Sequence, residues 1–148
     1  MAERLKRSEV DVQMTWNTDS LFNSKEAFDA SLEAVKVEVE SLKAYKGRLT
    51  ESGSILFEAL EALEKLMITL EALGTYAGLN EAVDGTDNAF QELAMIFDAA
   101  AAKIQADLTY IDNEIMSLTD AQYMNFFIDD VRLETYRPYI ENLYEQKQ

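Results

Sequence analysis

Histidine is absent from the sequence, and with it goes a large part of hydrolytic chemistry. Zinc hydrolases hold their metal with neutral imidazoles, and Ser and Cys nucleophiles usually take an imidazole as general base. No catalytic residue and no metal ligand set is therefore expected in this chain. Cysteine is absent too. No disulfide framework can hold the fold and nothing marks an oxidising compartment, which makes the cytoplasm the expected location. One proline and five glycines in 148 residues leave little room for loop-rich or collagen-like structure. Basic side chains are scarce, 13 against 28 acidic ones, for a formal net charge of -15. Such a surface repels phosphate backbones and anionic lipid heads, so neither nucleic acid nor a membrane is an expected partner. Long apolar runs are missing as well: no stretch of about 18 residues would span a bilayer. The opening Met1 to Val10 is polar and charged, unlike a secretory signal.

What is present is an apolar content of 48% arranged at helical spacing. The length suits one compact domain over 1–148, which would bury roughly 70% of the surface its unfolded chain exposes. Residues 1–15 lack periodicity and read as a loose leader. Asn23 with Glu26 has the form of a capping box, and Phe28, Leu32, Val35, Val39 and Leu42 then recur at intervals of four and three, predicting a helix over 24–46 that Gly47 stops. Hydroxyls between Thr50 and Ser54 can cap a second helix over 53–77, whose stripe is Leu56, Leu60, Leu63, Met67 and Leu70, widened by Ile55, Leu66 and Leu73. Gly74 and Gly78 each cost about 1 kcal/mol relative to Ala within a helix, so this helix is expected to bend or finish near them.

Asp84 to Asn88 reads as a turn and cap before the strongest periodic signal, Phe90, Ala94, Phe97, Ala101, Ile104, Leu108, Ile111 and Ile115, which predicts a helix over 88–117. Thr119 with Gln122 forms a second capping box and opens a helix over 120–128. A last helix over 132–146 carries Tyr136, Tyr139, Ile140, Leu143 and Tyr144, with Pro138 tolerable only in its first turn. The expected fold class is all-α, an antiparallel bundle of about four to five helices.

Carboxylates are the one abundant chemical group. Glu58, Glu61 and Glu64 fall three apart, but a dinuclear bundle site pairs Glu with His three residues on, so the row reads as a solvated acidic face. The Asp84 to Asn88 cluster lacks the alternating ligands and closing Glu of an EF-hand. Aromatics gather at both ends: Trp16 and Phe22 before the first helix, and Tyr136 and Tyr139 flanking Arg137 near the last. These five are the candidate contacts for another domain or a partner, with packing over the bundle ends as the plain alternative.

Short landmarks in order along the chain resemble the N-terminal region of the oligoendopeptidase F family, which is related to thimet oligopeptidase. Trp16 with Leu21-Phe22 is similar to the family's opening Trp and Leu-Phe pair, although Thr18 stands where an apolar residue is usual. Tyr45-Lys46-Gly47-Arg48-Leu49 followed by Glu51-Ser52 resembles its Tyr-Lys-Gly-x-Leu turn, and Tyr76-Ala77-Gly78-Leu79 its next landmark. Asp84, Asn88 and Gln91 resemble an Asp, Asn and Gln set at shortened spacing, and Tyr136-Arg137-Pro138-Tyr139-Ile140-Glu141 resembles a Tyr-Arg-His-Tyr-Leu-Glu segment with Pro138 in place of the histidine.

The resemblance implies the lid or wall portion of a larger zinc metallopeptidase that hydrolyses short peptides. Its zinc and its His-Glu-x-x-His helix would lie downstream, and its partners would be that catalytic domain and an oligopeptide substrate, with a homo-oligomer also open. A free-standing acidic helical module that binds a protein partner is the alternative.

Overall fold

A computed structural model describes residues 9–147. Of the leader expected over 1–15, residues 1–8 lie outside the described residues. From Asp11 onward the chain forms two short 3-10 turns, Val12–Met14 and Thr18–Ser20, the first capped by the Asp11 carboxylate, which accepts from the Gln13 N–H. Five α-helices follow among the described residues: α1 Lys25–Lys43, α2 Gly53–Val83, α3 Asn88–Met116, α4 Asp120–Asp129 and α5 Arg137–Glu145. The fold is an all-α helical bundle.

Caps explain most of the boundaries. The first helix starts one residue later than Asn23 would set it, because the Ser24 hydroxyl accepts the Ala27 N–H at 3.1 Å and takes the cap position. Ser52 does the same for Ile55 at the head of α2 (3.2 Å), and Asp87 for Ala89 at the head of α3 (2.8 Å). At α4 the capping box is complete: Thr119 accepts from the Gln122 N–H, and the Gln122 side chain accepts from the Thr119 N–H.

Three helices differ from their expected extents for physical reasons. α1 ends at Lys43 rather than at 46, because the Ala44, Tyr45 and Lys46 N–H groups donate to carbonyls three residues back, in turns tighter than the α-helix. α2 continues through Gly74 and Gly78 to Val83 rather than finishing near 77. A Cβ on Gly74 would stand 2.7 Å from the Phe97 ring, so the glycine makes room for an aromatic contact that outweighs its propensity cost. Beyond Val83 the Asp84 carboxylate accepts both the N–H and the hydroxyl of Thr86, and this Asx turn ends the helix. The segment expected as one helix over 132–146 divides into a 3-10 stretch Val131–Tyr136 and then α5. Pro138 is the cause: inside a continuous α-helix its ring would clash with the carbonyl of residue 134, whereas at the second position of α5 it displaces nothing.

Packing divides the described residues into two compact units, one formed by the described part of Met1–Val35 with Ile68–Ala102, the other by Lys36–Met67 with the described part of Lys103–Gln148. Each of α1, α2 and α3 contributes a segment to both. The first unit buries Phe28, Leu32 and Val35 from α1, Leu70, Leu73 and Ala77 from α2, and Leu93 and Ala94 from α3. The rings of Phe22, Phe28 and Tyr76 meet pairwise at 5.4 to 5.9 Å, two of the three contacts edge-to-face.

The second unit buries Val39 and Leu42, Leu56, Leu60 and Leu66, Ile104, Leu108 and Ile111, and, from the last elements, Phe126, Phe127, Leu133 and Ile140. Met67, expected on the buried stripe, is 48% exposed, while Leu66 is fully buried. An α-helix turns 3.6 residues per turn, so a strict seven-residue pattern drifts off the core face, and the neighbouring leucine takes its place.

Candidate functional site

Glycine at 47 is a conformational requirement: its φ is +82°, in the left-handed region where other residues are strained. The turn it makes between α1 and α2 is held from α3. The Glu114 carboxylate accepts the Gly47 N–H through one oxygen and the Leu49 N–H through the other, at 3.0 Å. Beside it the buried Tyr110 hydroxyl donates to the Leu42 carbonyl, and burial pushes that phenol up to about 12. Further along, the Gln122 side chain donates to the Thr50 carbonyl at 2.8 Å, and Asp129 accepts the Gly53 N–H at 2.9 Å. The α1–α2 turn is therefore fixed at both ends by side chains more than sixty residues away in sequence.

The hairpin held in this way carries a cleft of about 540 Å³ lined by the C-terminal part of α1, the turn after it and the N-terminal part of α2. Leu42, Ile55 and Ala62 line its apolar part, and Tyr45 stands half-buried beside them. Two cations, Arg48 and Lys65, and two carboxylates, Glu38 and Glu58, stand exposed round the rim. Periodicity identified the buried faces of both helices but not this cleft. The signal that could have shown it is the run of small side chains at Ser41, Ala44 and Ala62, which leaves the space unfilled.

The five candidate contacts fall into two places. In the first unit, Phe22 is taken up by the ring cluster with Phe28 and Tyr76, whereas Trp16 is 67% exposed beside the exposed Val12 and Met14. In the second unit, Tyr136, Arg137 and Tyr139 come together at the start of α5. The Tyr136 ring lies 5.8 Å from Phe57 and its hydroxyl donates to Glu64 at 2.7 Å; burial first, then that carboxylate, pushes it up to about 12. Arg137 sits 3.9 Å over the Phe127 ring and donates to both oxygens of Glu134, which raises its pKa and lowers that of the Glu. The Tyr139 hydroxyl donates to Asp112; burial and then that carboxylate shift the phenol upward. Next to them Arg132 forks onto Asp130 and holds that carboxyl at about 2.

The glutamate row of α2 is used within this fabric: Glu64 receives Tyr136 and Glu61 pairs with Lys65 at 3.1 Å. Among the described residues no group of three or more Asp or Glu could hold a metal ion. With histidine and cysteine missing from the sequence, the residues of this chain do not fit a zinc centre. No helix among the described residues is long and apolar enough to cross a membrane.

No family model matches the chain. Curated relatives do. It is 30% identical over 141 residues to Oligopeptidase PepF of Bacillus subtilis (strain 168), covering 95% of this chain and 21% of that protein. It is 23% identical to Group B oligopeptidase PepB of Streptococcus agalactiae serotype III (strain NEM316), covering 95% of this chain and 24% of the relative. Against the chromosomal oligoendopeptidase F of Lactococcus lactis subsp. cremoris it is 24% identical, over 95% of this chain and 22% of that one. The chain thus spans about a fifth to a quarter of the length of the curated relatives it matches. Among solved structures, the crystal structure of oligoendopeptidase-F from Enterococcus faecium superposes with a TM-score of 0.78 at 24% identity, covering 83% of this chain and 24% of that one. What the chain fits, over nearly its whole length, is an N-terminal segment of the oligoendopeptidase F family.

Proposed function

We propose that this chain is a non-catalytic segment of an oligopeptidase, contributing wall and acidic potential to the channel through which short peptides reach a catalytic domain elsewhere in the same polypeptide. The observation that carries this reading is a mismatch: 95% of the chain aligns with Oligopeptidase PepF at 30% identity, yet it covers 21% of that protein and has no histidine of its own. Peptide hydrolysis by a zinc enzyme needs imidazole ligands, so the metal and its ligands belong to the part of the parent that this chain does not include. The role left for the segment is shape and field, in the cytoplasm, with the catalytic domain as its partner.

A second observation favours the same reading over a free-standing module. On α4 and just past it, Met124, Ile128 and Val131 are 68%, 79% and 71% exposed and recur at four and three, a stripe that suits coverage by further protein. The test is the native reading frame. It is expected to encode His-Glu-x-x-His downstream of this segment, and the protein in its own cells is expected to have a mass several times that of 148 residues. A natural stop after Gln148 would sink the proposal. Metal-dependent turnover by the rigorously purified chain alone would do so equally.

A further inference from the structure

The turn between α2 and α3 holds a pairing that occurs once in the sequence. Of the five glycines, Gly85 alone follows an Asp or Asn. The side-chain carbon of Asp84 and the nitrogen of the next residue can close a five-membered ring, and glycine there puts no Cβ in the way of closure. The geometry around the pair favours it. The Asp84 carboxylate is folded forward along the chain, because its Oδ1 accepts the Thr86 N–H at 3.1 Å and the Thr86 hydroxyl at 2.6 Å, and this Asx turn carries the side chain past the Gly85 nitrogen. Helical bonding stops one residue earlier. The Asp84 N–H still donates to the Asn80 carbonyl at 3.2 Å, whereas among the described residues the Gly85 N–H has no acceptor. Residues 85–89 are exposed, so water reaches the turn. Other aspartates lack this combination: Asp98 and Asp107 lie inside α3, where the following nitrogen is tied into the helix, and after Asp19 the Ser20 N–H donates to the Asn17 carbonyl at 3.3 Å.

We propose that Asp84 is a site of spontaneous isoaspartyl formation, an ageing modification that the fold directs to the α2–α3 turn. The Gly85 nitrogen attacks Cγ of the protonated Asp84 carboxyl; the N–Cγ bond forms, the Cγ–OH bond breaks, and the hydroxyl leaves with the amide proton as water. A cyclic imide remains, and water then adds to one of its two carbonyls. Addition at Cγ restores aspartate. Addition at the former peptide carbonyl breaks the original amide and leaves the chain linked through Cγ, with a free α-carboxylate. No oxidant or reductant is consumed, and the product has the mass of the starting chain. The main chain gains one carbon at this point, so the clamp on Thr86 cannot re-form in the same register. The end of α2 and the head of α3, where Asp87 caps Ala89 and Gln91 donates to the Gly85 carbonyl at 2.6 Å, lose their anchor.

The experiment incubates the whole 148-residue chain, folded, in warm and mildly acidic buffer, beside a sample in denaturant. Digestion, chromatography and mass then follow the peptide over 81–91. In acid an imide lighter by one water is expected at Asp84, opening in mildly alkaline buffer to two products of the starting mass. An isoaspartyl carboxyl methyltransferase with labelled S-adenosylmethionine should esterify one of them and leave the other. Gly85→Ala should slow formation about tenfold, or about 1.4 kcal/mol of barrier. This variant keeps the turn, since its Cβ would come no closer than 3.5 Å to the Glu81 carbonyl. Asp84→Asn retains an acceptor oxygen for Thr86 and reaches the same imide by losing ammonia, so isoaspartyl should form in it faster. Amide exchange in the modified chain should rise over 78–83 and 88–92 and stay unchanged over 103–116. The assignment is overturned if Asp84 converts no faster than Asp98 and Asp107, or if it converts only in denaturant. An unchanged rate in Gly85→Ala, or an Asp84→Asn chain that keeps its ammonia, would overturn it as well.

Discussion

The two units are held by different physics. In the first, aromatic and aliphatic burial dominates: three rings meet around Phe28, Gly74 opens space for Phe97, and the polar contacts described for it are caps and turns closed within a few residues. In the second, an apolar core of similar character is overlaid with ties between residues far apart in sequence, from Glu114 to the Gly47 turn, from Tyr110 to Leu42, from Asp129 to Gly53, and from Tyr136 to Glu64. Burial is non-directional and tolerates small shifts, whereas each tie fixes one particular group to another: a backbone group to a side chain at Glu114, Tyr110 and Asp129, and two side chains at Tyr136 and Glu64. The unit with the ties is also the one that carries the cleft.

Removing a large ring should separate the two units most sharply. Phe28 is fully buried, and Phe28→Ala is expected to cost about 3–5 kcal/mol. Hydrogen exchange should show the loss concentrated in 68–83 and 88–102, with 103–116 retaining more protection. Equal deprotection throughout would mean that the two units unfold as one and that their different bonding has no separate energetic meaning.

Gly53→Ala probes the second unit in the same way. A Cβ there would stand 2.4 Å from the Phe126 carbonyl oxygen, a backbone atom that cannot swing aside. Overpacking of this kind costs about 1–3 kcal/mol, and the Asp129 contact to the Gly53 N–H would be disturbed with it. The expected signature is loss of protection in α4 and at the head of α2, measured beside a lowered thermal midpoint; an unchanged midpoint would show that α4 is free to move.

Glu114→Ala is the next step down. It leaves the Leu49 N–H without its acceptor, and Leu49 itself is 1% exposed, so about 1–3 kcal/mol should be lost. The turn would loosen with it. Glu114→Gln keeps one acceptor oxygen and should recover part of the loss.

The sequence pattern made the helices legible because periodicity and capping are local properties. Phe28 to Leu42 and Ile104 to Ile115 lie on buried faces as the intervals of three and four require, and the Thr119 box forms as written. Local choices between near-equivalent residues were less legible. Ser24 outranks Asn23 as a cap, and Leu66 outranks Met67 at the core, because tertiary packing sets the rotation of the helix by amounts smaller than the pattern resolves. Least legible of all was the site. Glu114 reads as one more surface carboxylate until the fold brings it to a turn 65 to 67 residues earlier, and the cleft exists only because three small side chains face the same space.

The smallest expected effect concerns pH, and it separates the units by chemistry. In the second unit burial raises the phenols of Tyr110 and Tyr136 to about 12, and that of Tyr139 is raised as well, against about 10 for an unfolded tyrosine. The native state therefore holds these protons more tightly than the unfolded one. Their contribution is fully present below pH 10 and is lost as pH rises towards about 12. Asp130 works in the opposite direction: held at about 2 by Arg132, it contributes above pH 4, and that contribution is lost as pH falls towards about 2. In the first unit Tyr76 is the phenol raised by burial. Exchange measured at rising alkaline pH should thus deprotect 103–116 and α5 ahead of 68–83, by a margin that shrinks in Tyr110→Phe, where no proton remains to be lost.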